Sequence, residues 1–120
     1  MGKTAVELRR GDVYLTNFDP AIGSEMKKTR PALVLQNDIA NEHSPVTIVA
    51  AMASFRGNKF YPTKVNVAAP EGGLDTDSVV LLNQLRTVDK GRLLRKLGAL
   101  DTSTMRKVDL ALRISLDLAG

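Results

Sequence analysis

The chain has no cysteine and no tryptophan, and only one histidine in 120 residues. Without cysteine there is no disulfide scaffold, no cysteine-based zinc site and no thiol nucleophile. The lack also fits a reducing compartment. One histidine cannot supply a two-histidine acid–base pair within a single chain. His43 lies in "NEHSP" (41–45), which reads as an exposed loop between strands. No apolar run approaches the ~20 residues of a membrane span, and "MGKTAVELRRGD" lacks the apolar core of a secretion signal. The expectation is a soluble, cytoplasmic protein with no membrane partner. No G-x-x-x-x-G-K-[ST] occurs, which argues against a P-loop nucleotide hydrolase. "EGGLDTD" (71–77) is glycine-rich but no convincing helix follows it, so it reads as a turn, with Asp75 and Asp77 solvated rather than holding a cation. There is no internal repeat, linker or low-complexity segment.

What is present suits one compact domain spanning 1–120, with residues 1–8 as a flexible N-terminal extension. The hydrophobic fraction is 43%, enough for a core without staples. Lysine and arginine total 17 against 13 acids, a net charge of +4. So mild an excess fits either a solvated basic surface or a polyanionic partner. Alternation in "DVYLTNF" (12–18) predicts a strand. "PALVLQ" (31–36) is a continuous apolar run, read as a buried strand with Pro31 at its first position, where the missing N–H matters least. "VTIVAAMA" (46–53) reads as a central strand, "TKVNV" (63–67) as another, and "SVVLLNQLRTVD" (78–89) as one strand or two joined at Asn83–Gln84. "NDIANEHSP" (37–45) is polar and turn-rich. "KGRLLRKLGAL" (90–100) has the spacing of a short helix ending near Gly98. "DTSTMRKVDLALRISLDL" (101–118) predicts a longer helix, capped by Asp101 or Thr102. It carries two apolar stripes: Met105, Val108, Leu112 and Leu116, then Leu110, Ile114 and Leu118. Either part of this helix meets another subunit, or a helix laid across a barrel buries both stripes. Short strands followed by helices give an α+β fold, mostly β: a small curled antiparallel sheet with C-terminal helices.

The most suggestive side chain is Arg30, in "GSEMKKTRPALVLQND" (23–38). A guanidinium stays charged at any physiological pH and presents paired, planar donors matched to phosphate. At the root of a strand its stem is fixed while its head stays reachable, and Lys27 and Lys28 add charge nearby. The residues alone leave open a solvated basic loop or a polyanion site.

"RGDVYLTNFDPAIGSEMKKTRPALVLQND" (10–38) resembles the opening of the MazF/PemK toxin endoribonucleases. The shared features are the R-G-[DE]-[IV] start, the G-S-E loop and the R-P-[AV]-[LV]-V-[IL] strand followed by Asn or Asp. "DSVVLLNQLRTVDKGRL" (77–93) resembles the family's second block and "KVDLALRISLDL" (107–118) its C-terminal helix. The resemblance implies an SH3-like, CcdB/MazF-like β-barrel and a homodimer. It implies metal-independent cleavage of single-stranded RNA at short motifs, with no cofactor. The ribose 2′-OH attacks the adjacent phosphate, leaving 2′,3′-cyclic phosphate and 5′-OH ends. A cognate antitoxin neutralises the toxin; it is expected to be acidic and partly disordered, because a basic groove also favours an anionic peptide.

The resemblance makes Arg30 the principal catalytic residue, stabilising charge on the pentacoordinate phosphorane; its high pKa makes general-base work difficult. The family's second catalytic residue is a Thr or Ser at the end of the third strand. Counted without gaps from the R-P step, that position is Ala53, followed by Ser54. Three readings stay open: Ser54 supplies the hydroxyl through a shifted backbone, Arg30 suffices with weaker catalysis, or the chain does not cleave. A non-cleaving chain would be a CcdB-like gyrase inhibitor or a partner that titrates antitoxin. Further RNA-binding candidates are Ser24 and Glu25 in the G-S-E loop, Asn37 (a base contact or the turn), Gln84 (a base contact) and Arg86 (an RNA contact or a pair with Asp77 or Asp89). Phe55, Phe60 and Tyr61 flank the loop after the third strand, where rings either stack unpaired bases or pack the core.

Overall fold

The computed structural model describes residues 7–55 and 61–118. Six strands form one antiparallel sheet: β1 (Asp12–Asn17), β2 (Thr29–Val34), β3 (Val46–Ser54), β4 (Lys64–Val67), β5 (Ser78–Asp89) and β6 (Leu93–Ala99). The spatial order is β4-β5-β3-β2-β1-β6. Two helices accompany them, α1 (Asp38–His43) and α2 (Thr102–Leu116). The edge strands β4 and β6 do not pair with each other, so hydrogen bonding leaves the barrel open. The gap is crossed by the 3₁₀ turn Glu71–Gly73, packed on β6. None of the helices in the described residues is long and apolar enough to cross a membrane.

Strand alternation gives the curled sheet two apolar faces. On one, Val13, Leu33, Ala50, Met52, Val80 and Leu82 pack beneath Val108 and Ala111 of α2. On the other, Tyr14, Phe18, Ala32, Val34, Val49, Ala51 and Val88 form a second cluster with Leu8. Leu8, expected in a loose extension, is therefore buried. Fully burying a side chain such as Leu33 or Met52 stabilises the fold by about 1.5–3 kcal/mol.

The 90–100 segment is not a helix. Lys90–Arg92 forms a single 3₁₀ turn and Leu93–Ala99 forms β6, paired with β1. The ladder shifts register between Val13 and Tyr14 and between Leu15 and Thr16. These irregularities break strict two-residue alternation, so Leu93 packs with the second cluster and Leu97 with the first. Apolar residues spaced four apart thus imitate a helix while belonging to a kinked strand. The polar 37–45 stretch, read as turn, holds the short helix α1, whose last residue is the exposed His43. The α2 helix lies where the periodicity placed it, but Asp101 does not cap it through its side chain. Its backbone N–H donates instead to Glu71 Oε2 at 2.9 Å. Met105, Val108 and Leu112 pack inward. Leu110, Ile114 and Leu118 remain 58%, 49% and 57% exposed, so the helix does not bury both stripes within the chain.

Gly73 sets the tightest approach. Its φ is +73°, and a β-carbon there would lie 1.9 Å from the Leu97 carbonyl oxygen. Gly73→Ala should therefore lower the unfolding free energy by about 2 kcal/mol. A urea midpoint unchanged from wild type would show that the 3₁₀ turn does not depend on this contact. Tyr14 makes a second test. Its hydroxyl is buried without a hydrogen-bond partner among the described residues. Burial first, then the charge of Asp12, raises its pKa above the ordinary 10.0. The folded state thus favours the neutral phenol and loses stability only as pH rises past about 10, where the unfolded phenol ionises. Tyr14→Phe should be neutral or stabilising by about 1 kcal/mol at pH 7, and should flatten the alkaline loss. A variant clearly less stable than wild type at pH 7 would mean the hydroxyl has a partner.

Candidate active site

Residues 18–28 connect β1 to β2 and bring Arg30 to the sheet end, and the loop is held at many points. Asp19 Oδ1 accepts from the Lys28 N–H at 2.7 Å, and the Phe18 N–H donates to the Lys28 carbonyl at 2.9 Å. Glu25 Oε1 accepts from the Ile22 N–H at 2.7 Å, closing its own turn. Lys28 has φ +69°, a left-handed conformation that costs a non-glycine residue on the order of 1 kcal/mol. That reversal turns the chain into β2 and leaves the Lys27 carbonyl accepting from Arg30 Nε at 2.9 Å.

The Arg30 stem is half-buried and its Nε is occupied. Its two terminal nitrogens have no hydrogen-bond or ion-pair partner among the described residues. The guanidinium is therefore tethered through Nε with its terminal nitrogens unspent, the state in which a fork can take an anion in paired bonds. It lines an open cleft of about 520 Å³ with Leu15, Pro31, Ala53, Ser54, Ser78 and Arg95, among others.

Strand register decides what accompanies it. Ala32 faces Ala51 and Leu33 faces Ala50 across β2 and β3; continuing that register sets Arg30 opposite Ala53. Arg30 and Ala53 thus share the face of Ala32 and Ala51, whereas Ser54 falls on the face of Met52. Near the strand end β3 keeps regular register with β5, Ala53 opposite Val79 and Ser54 opposite Ser78. The irregularity that a shifted Ser54 would need lies instead between Ala50 and Met52. Ser54 lines the cleft from the face opposite Arg30, and Ser78 Oγ donates to the Thr76 carbonyl at 2.9 Å.

The remaining candidates divide. Ser24, Lys27 and Lys28 are exposed on the loop beside Arg30. Phe55 and Tyr61 are 38% and 44% exposed, and the Lys64 ammonium stands 4.5 Å from the centre of the Tyr61 ring. Phe60 lies outside the described residues. Gln84 is occupied with the loop: Oε1 accepts from the Met26 N–H and Nε2 donates to the Ser24 carbonyl, each at 3.4 Å. Arg86 pairs with neither Asp77 nor Asp89. It donates to the Phe18 carbonyl at 2.6 Å and lies over the Phe18 ring at 5.9 Å. Asn37 caps α1, accepting from the Ala40 N–H at 2.9 Å. Asp38 behind it is held ionised below the ordinary 3.8, first by the Arg10 backbone N–H. Gln84, Arg86 and Asn37 thus each contact neighbouring segments of the chain. Sequence reasoning missed Arg95, because that stretch reads as helix, and Ser78, which nothing in the sequence marks.

A curled sheet with C-terminal helix α2 thus ends in a cleft where an arginine fork, unspent among the described residues, stands beside a tethered basic loop, a cationic arrangement that a polyanion would fit. Known proteins make the class specific. The family model for PemK-like, MazF-like toxins of type II toxin–antitoxin systems matches residues 9–116. Endoribonuclease EndoA of Bacillus subtilis (strain 168) is 49% identical over 111 residues, covering 92% of this chain and 96% of that protein. The chain belongs to this PemK-like, MazF-like toxin family. Its fold superposes on MazF from Deinococcus radiodurans with a TM-score of 0.80 at 26% identity, covering 95% of this chain and 100% of that one. A mycobacterial endoribonuclease solved with its cognate antitoxin gives 0.78 at 25% identity, covering 94% and 98%.

Proposed function

We propose that this chain is an endoribonuclease toxin that cuts single-stranded RNA at short sequence motifs without a metal. The observation that carries the reading is the Arg30 fork, fixed through Nε and lining the cleft, with both terminal nitrogens free of partners among the described residues. In the reaction, a ribose O2′–P bond forms and the P–O5′ bond breaks. O2′ loses a proton and O5′ gains one, leaving a 2′,3′-cyclic phosphate and a 5′-OH. Arg30 holds the charge that builds on the phosphoryl oxygens; donors fixed before the reaction need not reorganise as it proceeds. Lys27 and Lys28 draw the strand in, Ser24 and Glu25 shape the loop, and Phe55 and Tyr61 offer faces for unpaired bases.

Partners follow from the same surface. The exposed Leu110, Ile114 and Leu118 stripe suits a second copy of the chain, giving a homodimer. The cationic cleft suits an acidic, partly disordered antitoxin, and a relative is solved with its cognate antitoxin. The place of action is the cytoplasm, where messenger RNA is found. Ala53 favours one competing reading, a weakened or non-cleaving barrel of the gyrase-inhibitor kind. Incubating the purified protein with mixed-sequence RNA in EDTA separates the two. Recurrent cut sites are expected; intact RNA together with inhibited gyrase would overturn the proposal.

A further inference from the structure

A second guanidinium lines the cleft. Arg95 is exposed on β6, opposite Leu15 of β1, and Leu15 is opposite Pro31 of β2, so Arg95 lines the cleft from the face of Pro31 and Ser54 while Arg30 lines it from the other. Two strand spacings of ~4.8 Å put its backbone roughly 10 Å from the R-P step, across the end of the sheet. The other cations of this segment are occupied. Arg92 donates to the carbonyls of Asn17, at 3.1 Å, and Asp19. Lys90 donates to the Asn41 carbonyl. Lys96 pairs at 3.4 Å with Asp12, whose side chain is 6% exposed. Arg95 has no ion pair or hydrogen bond among the described residues, and Asp75, the carboxylate lining the cleft, pairs with neither arginine. Two unspent guanidiniums on one cleft repel each other, and a single phosphate would relieve only one of them. A chain of regularly placed phosphates relieves both.

We propose that Arg95 holds a phosphate of the bound RNA near the scissile one. The strand is then clamped at two points, in a site where Ala53 gives the scissile phosphate no hydroxyl. The inference rests on the endoribonuclease reading; a guanidinium fork pairs with carboxylate as well as phosphate, so RNA is favoured over an acidic peptide by the regular spacing of its phosphates and not by the fork's shape.

The test is binding of a mixed-sequence, 2′-O-methylated oligoribonucleotide, which lacks the attacking hydroxyl, measured by fluorescence anisotropy over a salt series. Arg95→Ala should weaken binding roughly tenfold at low salt and reduce the slope of log Kd against log salt by about 0.7, one single-strand phosphate contact. Arg95→Lys should keep the slope, because the charge remains, and Arg106→Ala on α2 should match wild type. An Arg95→Ala slope and Kd equal to wild type would overturn the proposal, as would loss of affinity for polyglutamate with RNA binding intact. Wild-type protein that binds no RNA would overturn both this and the endoribonuclease reading. Cleavage of unmodified RNA, measured in parallel, tests that reading by itself.

Discussion

Arg30→Ala should lower the rate of RNA cleavage roughly a thousandfold, the upper range for removing a preorganised donor from charge that builds in a transition state. The effect should fall on kcat more than on KM, because the fork gains most once the phosphorane carries its extra charge. Stability should barely change. The side chain is half-buried at a strand end and, among the described residues, makes one hydrogen bond, to the Lys27 carbonyl. Losing that contact costs about 1 kcal/mol at most, so the urea midpoint separates a chemical from a folding defect. Arg30→Lys keeps the charge but not the paired donors and should recover only a small part of the rate. Full activity in Arg30→Ala would remove the mechanism.

The opposite change is expected at Ala53. Register puts this residue opposite Arg30, on the same face, at the half-buried end of β3. A β-branched residue is at home in a strand, so Ala53→Thr should fold and place a hydroxyl beside the fork. The expected gain is on the order of a hundredfold in kcat, the reverse of losing one such donor. Ala53→Val, of the same shape without the hydroxyl, should show none of it. Ser54→Ala should leave the rate within about twofold of wild type, since Ser54 faces the other way. A large loss on removing the Ser54 hydroxyl, with no gain from Ala53→Thr, would mean that Ser54 already serves. Steady-state cleavage of one fluorogenic RNA by all four proteins decides between them.

Much of this was legible in the chain. The alternation of β1, the apolar run of β2 and the β-branched start of β3 mark strands by local pattern. Arg30 stood out because a charged fork precedes a proline at a strand root. What was hidden depends on contacts between residues distant in sequence. Irregularities in its pairing with β1 disguise β6 as a helix, and with it Arg95. Gln84 and Arg86 look like recognition residues, yet their partners are backbone groups at Met26, Ser24 and Phe18, some sixty residues earlier. No periodicity records such a bond. The absent hydroxyl at Ala53 was visible as a count from the R-P step, but only the register shows that Ser54 faces away from the fork.

The central claim is that a ribose hydroxyl attacks a phosphate held by a fixed arginine. An RNA substrate with one 2′-deoxy nucleotide placed 5′ of a mapped cut tests it most directly. Cleavage should vanish at that bond alone, persist at other sites, and proceed throughout in EDTA. Continued cutting at the substituted bond would mean that water, not the ribose, is the nucleophile, and would contradict the account.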